Sequence, residues 1–277
     1  MIDLNTDYNL DSHQLIEVLD EVPLWSAPFG IRLLESVFYK KNITGLDIGF
    51  GCGFPLTELA LRFGKTCKIY GIDPWEAATK RVRKKLEIYG IKNVEIIQGK
   101  AEEIPLETNS VDLITSNNGI NNVADLDKAI SECSRVLKSG GQFVQTINLN
   151  TTMYQFYDHL EEVLRENKLD VHTDKIKEQI HGKRRPLHEF TDVLKNHSFM
   201  EENVSHDIFD YRFVDGTALF QHYFMRLAFL DGWKSIIPEK MQQHVFNCME
   251  DKLNRKAEKD GFIKLTIPFV VINCIRK

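Results

Sequence analysis

Residues 45–60, Gly-Leu-Asp-Ile-Gly-Phe-Gly-Cys-Gly-Phe-Pro-Leu-Thr-Glu-Leu-Ala, constrain the fold more than any other stretch. A short apolar run ends in a glycine-rich turn and passes directly into a helical pattern. Asp47 closes the strand, and Gly49, Gly51 and Gly53 alternate through the turn. Missing Cβ atoms there admit unusual dihedrals and let a ligand lie against bare backbone. The same glycines also suit a tight strand-to-helix turn with no ligand, so both readings stand at this point.

A dinucleotide fingerprint of the G-x-G-x-x-G type requires a further glycine where Phe54 or Leu56 stands. The run Asp47-x-Gly49-x-Gly51-x-Gly53 instead resembles the first motif of the class I methyltransferases that use S-adenosylmethionine. The resemblance implies that the glycines pack against the methionine and ribose parts of that cofactor, with no pyrophosphate to bind.

The next apolar run, 67–72, reads as a second strand ending at Asp73, about 20 residues past the turn, where a βαβ unit delivers its second strand end beside the first. A carboxylate there accepts strong hydrogen bonds from both ribose hydroxyls; alternatively it caps the helix predicted over 75–89. Pro74 and Trp75 follow as candidates to cover the adenine. After a third strand at 94–98 comes Gly99-Lys100-Ala101-Glu102-Glu103-Ile104-Pro105, which resembles the family's third motif. The family's acceptor for the adenine amino group is replaced by Lys100, a donor with no acceptor. Adenine recognition then passes to a backbone group near Lys100 and Ala101, to Glu102, or to a water.

The fourth strand, 110–116, ends in Asn117-Asn118-Gly119. The resemblance places Asn117 beside the transferred methyl group, although Asn-Asn-Gly also serves as a plain turn. No Asp/Asn-Pro-Pro-aromatic signature follows, which disfavours nucleobase or glutamine-amide acceptors. A helix over 124–137, ended by Gly140 and Gly141, leads into a fifth strand at 142–147, and Arg-Val-Leu-Lys-Ser-Gly-Gly there resembles a further family motif.

Five strands alternating with helices predict a parallel sheet with right-handed crossovers. With the family resemblance, the fold class is α/β: a Rossmann-like seven-stranded sheet, its seventh strand antiparallel between the fifth and sixth, with helices on both faces and a helical cap. The remaining strands are expected at 203–213 and 264–276, the latter with a bulge or exposed edge at Pro268. Helices are expected at 13–22, 31–39, 153–167, 171–180, 187–196, 216–230 and 238–260. Residues 23–30, with two prolines, Trp25 and Phe29, read as a loop. Tyr8, Trp25 and Phe29 either close the site or cover the core edge. The expected organisation is one domain over 1–277: an amino-terminal helical lid (1–43), a cofactor-binding core (44–150) and cap insertions (151–185 and 214–262).

Of 277 residues, 43% are hydrophobic and 27% charged, with net charge -5, an ordinary globular balance that argues against a nucleic-acid partner. Two local basic runs depart from it: Lys80, Arg81, Arg83, Lys84 and Lys85, read as a solvated helix face, and Lys183-Arg184-Arg185. Five scattered cysteines without C-x-x-C spacing suit a reducing compartment and no zinc site, and the nine histidines form no metal-binding spacing. No apolar segment reaches membrane-spanning length and the first residues carry no leader pattern, so a cytoplasmic, soluble chain without a membrane partner is expected.

The functional expectation is methyl transfer from S-adenosylmethionine to a small organic molecule by in-line displacement, with proximity and desolvation as the main assistance. A non-catalytic S-adenosylmethionine-binding protein and a nicotinamide-dependent oxidoreductase are the alternatives. Cofactor-binding candidates are Asp47, Gly49, Gly51, Gly53, Asp73, Pro74, Lys100, Ala101, Glu102 and Asn117. No spacing singles out a base among His188, His206, His222, Asp210 and Tyr211, and the catalytic residue stays unassigned.

Overall fold

In a computed structural model describing residues 2–5, 8–17 and 22–277, the side chains of Val22 and Pro23 apart, the chain opens with helices α1 (His13–Glu17) and α2 (Val22–Ser36). There follow β1 (Thr44–Ile48), α3 (Leu56–Phe63), β2 (Lys68–Asp73), α4 (Glu76–Ile88), β3 (Val94–Gln98), β4 (Val111–Asn117), α5 (Leu126–Val136) and β5 (Leu137–Asn148). The second half contains α6 (Tyr154–Glu166), α7 (Thr173–Lys183), α8 (Leu187–Asn196), β6 (Phe199–Phe213), α9 (Gly216–Gln221) and α10 (Tyr223–Met225). A π-helical turn (Arg226–Leu230), α11 (Asp231–Lys234), α12 (Glu239–Asp260) and β7 (Ile263–Arg276) complete it.

The seven strands are ordered β3-β2-β1-β4-β5-β7-β6. β1 runs parallel to β2 and β4, β2 to β3, and β4 to β5. β7 is antiparallel to β5, from Gln142 opposite Ile275 to Asn148 opposite Phe269. The predicted sheet is therefore observed, with the reversed strand in the predicted place. Helices on both faces explain why β1 and β4 are buried almost residue after residue instead of alternating.

The chain divides into two compact units. One comprises Asn9–Asn148, Leu187–Asp207 and Phe269–Lys277 and holds β1–β5 with α1–α5 and α8. In it the side chain of Gln142 accepts from Phe38 N and donates to Ser36 O and Asn273 Oδ1, each at 2.9 Å, satisfying a buried amide while pinning the end of α2 to β5 and β7. The other comprises Met1–Tyr8, Leu149–Pro186 and Ile208–Pro268 and is mostly helical. There Arg226 donates to Tyr8 Oη, to the carbonyls of Asp3 and Asn5 and to the Asp3 carboxylate. Lys234 donates to Leu4 O and Gln243 to Ile2 O, completing a clasp on the amino-terminal segment.

Several local expectations are corrected. Residues 23–30 are helical within α2 rather than a loop. Pro23 falls in the first turn, where an amide has no helical partner, and Pro28 removes only one bond from a helix held by its buried Phe29, Leu33 and Leu34. The helix expected over 13–22 is observed as His13–Glu17; residues 18–21 lie outside the described residues. Gly140 and Gly141 do not end a helix: α5 stops at Val136, Leu137 already pairs with Val111, and four residues bulge out before Gln142 rejoins β4 at Leu113. The segment 216–230 is broken at His222, which is extended (φ -63°, ψ 121°) and packs its ring against Tyr211 and Phe213. β7 lies inside the sheet, so Pro268 is not on an edge; it sits one residue past the β5 ladder, where its carbonyl accepts from Leu149 N at 2.9 Å and its missing amide removes only the reciprocal bond at the ladder's end.

Phe29 is fully buried and packs on Trp25 (5.5 Å between centroids) and Phe269 (4.6 Å). Phe29→Ala is expected to destabilise the protein by about 3–5 kcal/mol in urea denaturation, and a loss under about 1 kcal/mol contradicts its place in the core.

Candidate active site

At the carboxyl ends of β1, β2 and β4 lies a cavity of about 330 Å³. Gly49, Asp73, Pro74, Lys100, Ala101, Glu102 and Asn117 line it, together with Asn118, Gly119 and Asn122 from the loop after β4. Asp47, Gly51 and Gly53 are not in the lining. This is the position where an open α/β sheet leaves a crevice.

The turn after β1 is anchored from β2. Gly49 N donates to Ile72 O at 2.9 Å, and Asp73 accepts Gly51 N on Oδ2 and Trp75 N on Oδ1, each at 2.8 Å. Burial raises the Asp73 carboxyl above its ordinary value, and the two amides oppose that rise. Asp73 is not the N-cap of α4; that position is Trp75, whose indole donates to Leu10 O. A Cβ at Gly49 would stand 2.6 Å from Gly119 Cα, whereas one at Gly51 (φ 49°) would meet nothing within 4 Å. Gly49 thus permits close backbone packing, and Gly51 faces open space.

Asp47 lies below this turn, 1% exposed. Its Oδ1 accepts from Thr115 Oγ1 at 2.6 Å, and its Oδ2 has no partner among the described residues. Burial pushes its carboxyl up to about 7, the Thr115 hydrogen bond opposes this, and the nearby Asp73 charge adds to it.

The loop after β4 differs from the sequence expectation in detail. The Asn117 side chain is spent internally, accepting from Thr146 Oγ1 (2.8 Å) and donating to Ser26 O (3.0 Å). Asn118, in a left-handed conformation (φ 57°), lines the cavity with a buried Nδ2 that has no partner among the described residues. Asn is among the few side chains that tolerate this conformation, so the Asn-Asn-Gly run carried a signal for Asn118 as well as Asn117, and both line the cavity. Glu102 Oε1 accepts Ala124 N (2.8 Å) and Asp125 N (3.2 Å), fixing the entry to α5.

None of Tyr8, Trp25, Phe29 or Trp75 lines the cavity, nor does any of His188, His206, His222, Asp210 or Tyr211. Phe29 belongs to the core, and Tyr8 packs edge-on against Tyr223 at 5.2 Å in the other unit. No group of three or more metal-ligating side chains occurs among the described residues, and none of their helices is long and apolar enough to cross a membrane.

A family model described as a methyltransferase domain matches residues 39–224. The chain belongs to that family. This agrees with the class I motifs and removes the nicotinamide-dependent alternative. Over 123 residues this family member is 38% identical to the ubiquinone/menaquinone biosynthesis C-methyltransferase UbiE of Escherichia coli, over 42% of this chain and 49% of that protein. The chain thus spans about half the length of the curated relative it matches. The YcgJ protein from Bacillus subtilis has a TM-score of 0.57 at 18% identity, covering 91% of this chain and 98% of the other. The geranyl diphosphate C-methyltransferase from Streptomyces coelicolor A3(2) reaches 0.56 at 15%, covering 98% and 87%. At these identities the structural likeness establishes the fold alone.

Two outcomes follow from this geometry. Gly49→Ala is expected to lower the melting temperature through its clash with Gly119, while Gly51→Val is strained by only about 1–2 kcal/mol and keeps the fold. Equal melting temperatures for the two variants contradict the assignment. The folded-state carboxyl of Asp47 stands above its unfolded value of 3.8, so the native state binds the extra proton and loses stability as pH rises from about 4 to 7. Urea denaturation of Asp47→Asn should therefore show a gain over wild type that grows across this window, up to about 4 kcal/mol; a gain independent of pH counts against it.

Proposed function

We propose that this chain transfers the methyl group of S-adenosylmethionine to a small organic acceptor. The observation that carries the proposal is a single cavity combining a carboxylate at the end of β2, an unpartnered amide donor and an adjoining open glycine backbone, in a methyltransferase-domain chain.

The residues present fit that cofactor. Each Asp73 oxygen holds one backbone amide and keeps a lone pair for a ribose hydroxyl. The open space above Gly51 admits a ligand against the backbone. Asn118 Nδ2 supplies a donor that otherwise stays buried without a partner, a costly state. Lys100 cannot accept from an adenine amino group, so adenine is read by the backbone around Lys100 and Ala101, with Pro74 against the ring. Asp47 supports the site from beneath and does not touch the ligand.

When bound, the cofactor supplies an electrophilic sulfonium methyl whose neutral thioether departs without an acid. The chain's part is to hold and align, which is worth about 7–11 kcal/mol in favourable geometries. The two carboxylates in the lining, Asp73 and Glu102, are engaged by backbone amides, which favours an acceptor atom already nucleophilic at neutral pH. Net charge -5 disfavours a polyanionic acceptor, and the names of the E. coli and S. coelicolor relatives point to small molecules. That no disulfide joins the five cysteines among the described residues supports a reducing compartment such as the cytoplasm.

Isothermal titration with S-adenosylmethionine, S-adenosylhomocysteine and a nicotinamide dinucleotide tests the cofactor. The first two should bind and the third should not; binding of the dinucleotide alone overturns the proposal. Asp73→Ala should weaken S-adenosylmethionine by about 1.5–3 kcal/mol, and unchanged affinity removes Asp73 from the ribose contact. Release of S-adenosylhomocysteine, followed across small acceptors, then tests the transfer itself.

A further inference from the structure

Within the helical unit, α7 ends at Arg184, whose backbone amide closes on Ile180 O at 2.7 Å. Its neighbours Lys183 and Arg185 are exposed, but Arg184 is 6% exposed. Its guanidinium lies over the Phe229 ring, 5.8 Å from the centroid, and its Nη1 has no hydrogen-bond partner among the described residues. No carboxylate among the described residues pairs with it. Phe229 belongs to the π-helical turn Arg226–Leu230, an irregularity frequent at functional sites. Its ring also stacks on Trp233 at 5.8 Å. Trp233 is 1% exposed, stacks on Phe156 at 3.9 Å, and leaves its Nε1 without a partner among the described residues.

Arginine cannot shed its charge, and buried arginines are paired almost without exception. The Phe229 ring recovers only part of what is lost when a guanidinium leaves water. Two buried donors, one permanently cationic, therefore contact one aromatic ring, and neither has a partner among the described residues. We propose that Arg184 and Trp233 form an oxyanion site for an organic anion whose carboxylate or phosphate meets the guanidinium fork and the indole N–H, and whose apolar or aromatic body lies against Phe229. Arginine presents two parallel donors to either group. The site is built from this unit's own residues and holds whether or not the methyl-transfer reading does.

Titration calorimetry without S-adenosylmethionine tests it, using benzoate, phenyl phosphate and the neutral benzamide as probes at one ionic strength. At least one anion should bind with 1:1 stoichiometry about tenfold or more tighter than benzamide, and the tighter of the two identifies carboxylate or phosphate as the source. Arg184→Gln should abolish this preference and Arg184→Lys retain part of it, while Arg212→Gln, an exposed cation, leaves it unchanged. Equal binding of all three probes, or an undiminished preference in Arg184→Gln, overturns the proposal. Should Arg184→Gln not fold, the wild-type melting temperature decides: it should rise with an anion and not with benzamide, and no difference among the probes overturns the site.

Discussion

The Asp73 carboxylate is the constraint on which the candidate site depends. It takes the amides of Gly51 and Trp75, so one group closes the turn after β1 and starts the segment leading into α4. With Gly49 N bound to Ile72 O, the glycine turn is held from the neighbouring strand instead of by its own contacts. Charged acceptors bind amides more strongly than neutral ones, and a low-dielectric surrounding strengthens the bond further. The turn after β1 and the segment leading into α4 are therefore coupled at this carboxylate, and a variant that loses it loosens both together.

Asp47 is the counterpart that this arrangement makes necessary. A second carboxylate, buried nearby with one oxygen unpartnered, cannot remain fully charged beside the first. Burial chiefly, with the Asp73 charge adding to it, leaves Asp47 partly protonated near neutrality while Asp73 holds its amides. An acidic residue at the head of a glycine motif thus acts here through what it supports.

The sheet was legible because its strands are apolar runs separated by strong punctuation. β3 and α8 match their predicted limits, β3 lying between Asn93 and Gly99 and α8 between Pro186 and the polar Asn196-His197-Ser198 stretch. Errors arose where tertiary contacts overrule local signals. Two prolines made α2 read as a loop, yet its buried face keeps it helical. The run 216–230 contains no breaker, and it is broken by the packing of His222 on Tyr211 and Phe213. In the site, backbone positions and Asp73 could be read from motif order. The internal engagement of the Asn117 side chain could not, because it depends on Thr146 and Ser26 lying beside it. Arg184 was hidden for a related reason: three basic residues in a row look alike until burial separates the middle one.

The clasp on the amino-terminal segment has an evolutionary consequence. Arg226, Lys234 and Gln243 reach mainly the carbonyls of Ile2, Asp3, Leu4 and Asn5, and carbonyls are common to every residue type. Side-chain identity at these positions can drift among homologues with little effect on the grip, whereas inserting or deleting a single residue puts the carbonyls out of step with all three donors. The segment should therefore be variable in composition and fixed in length.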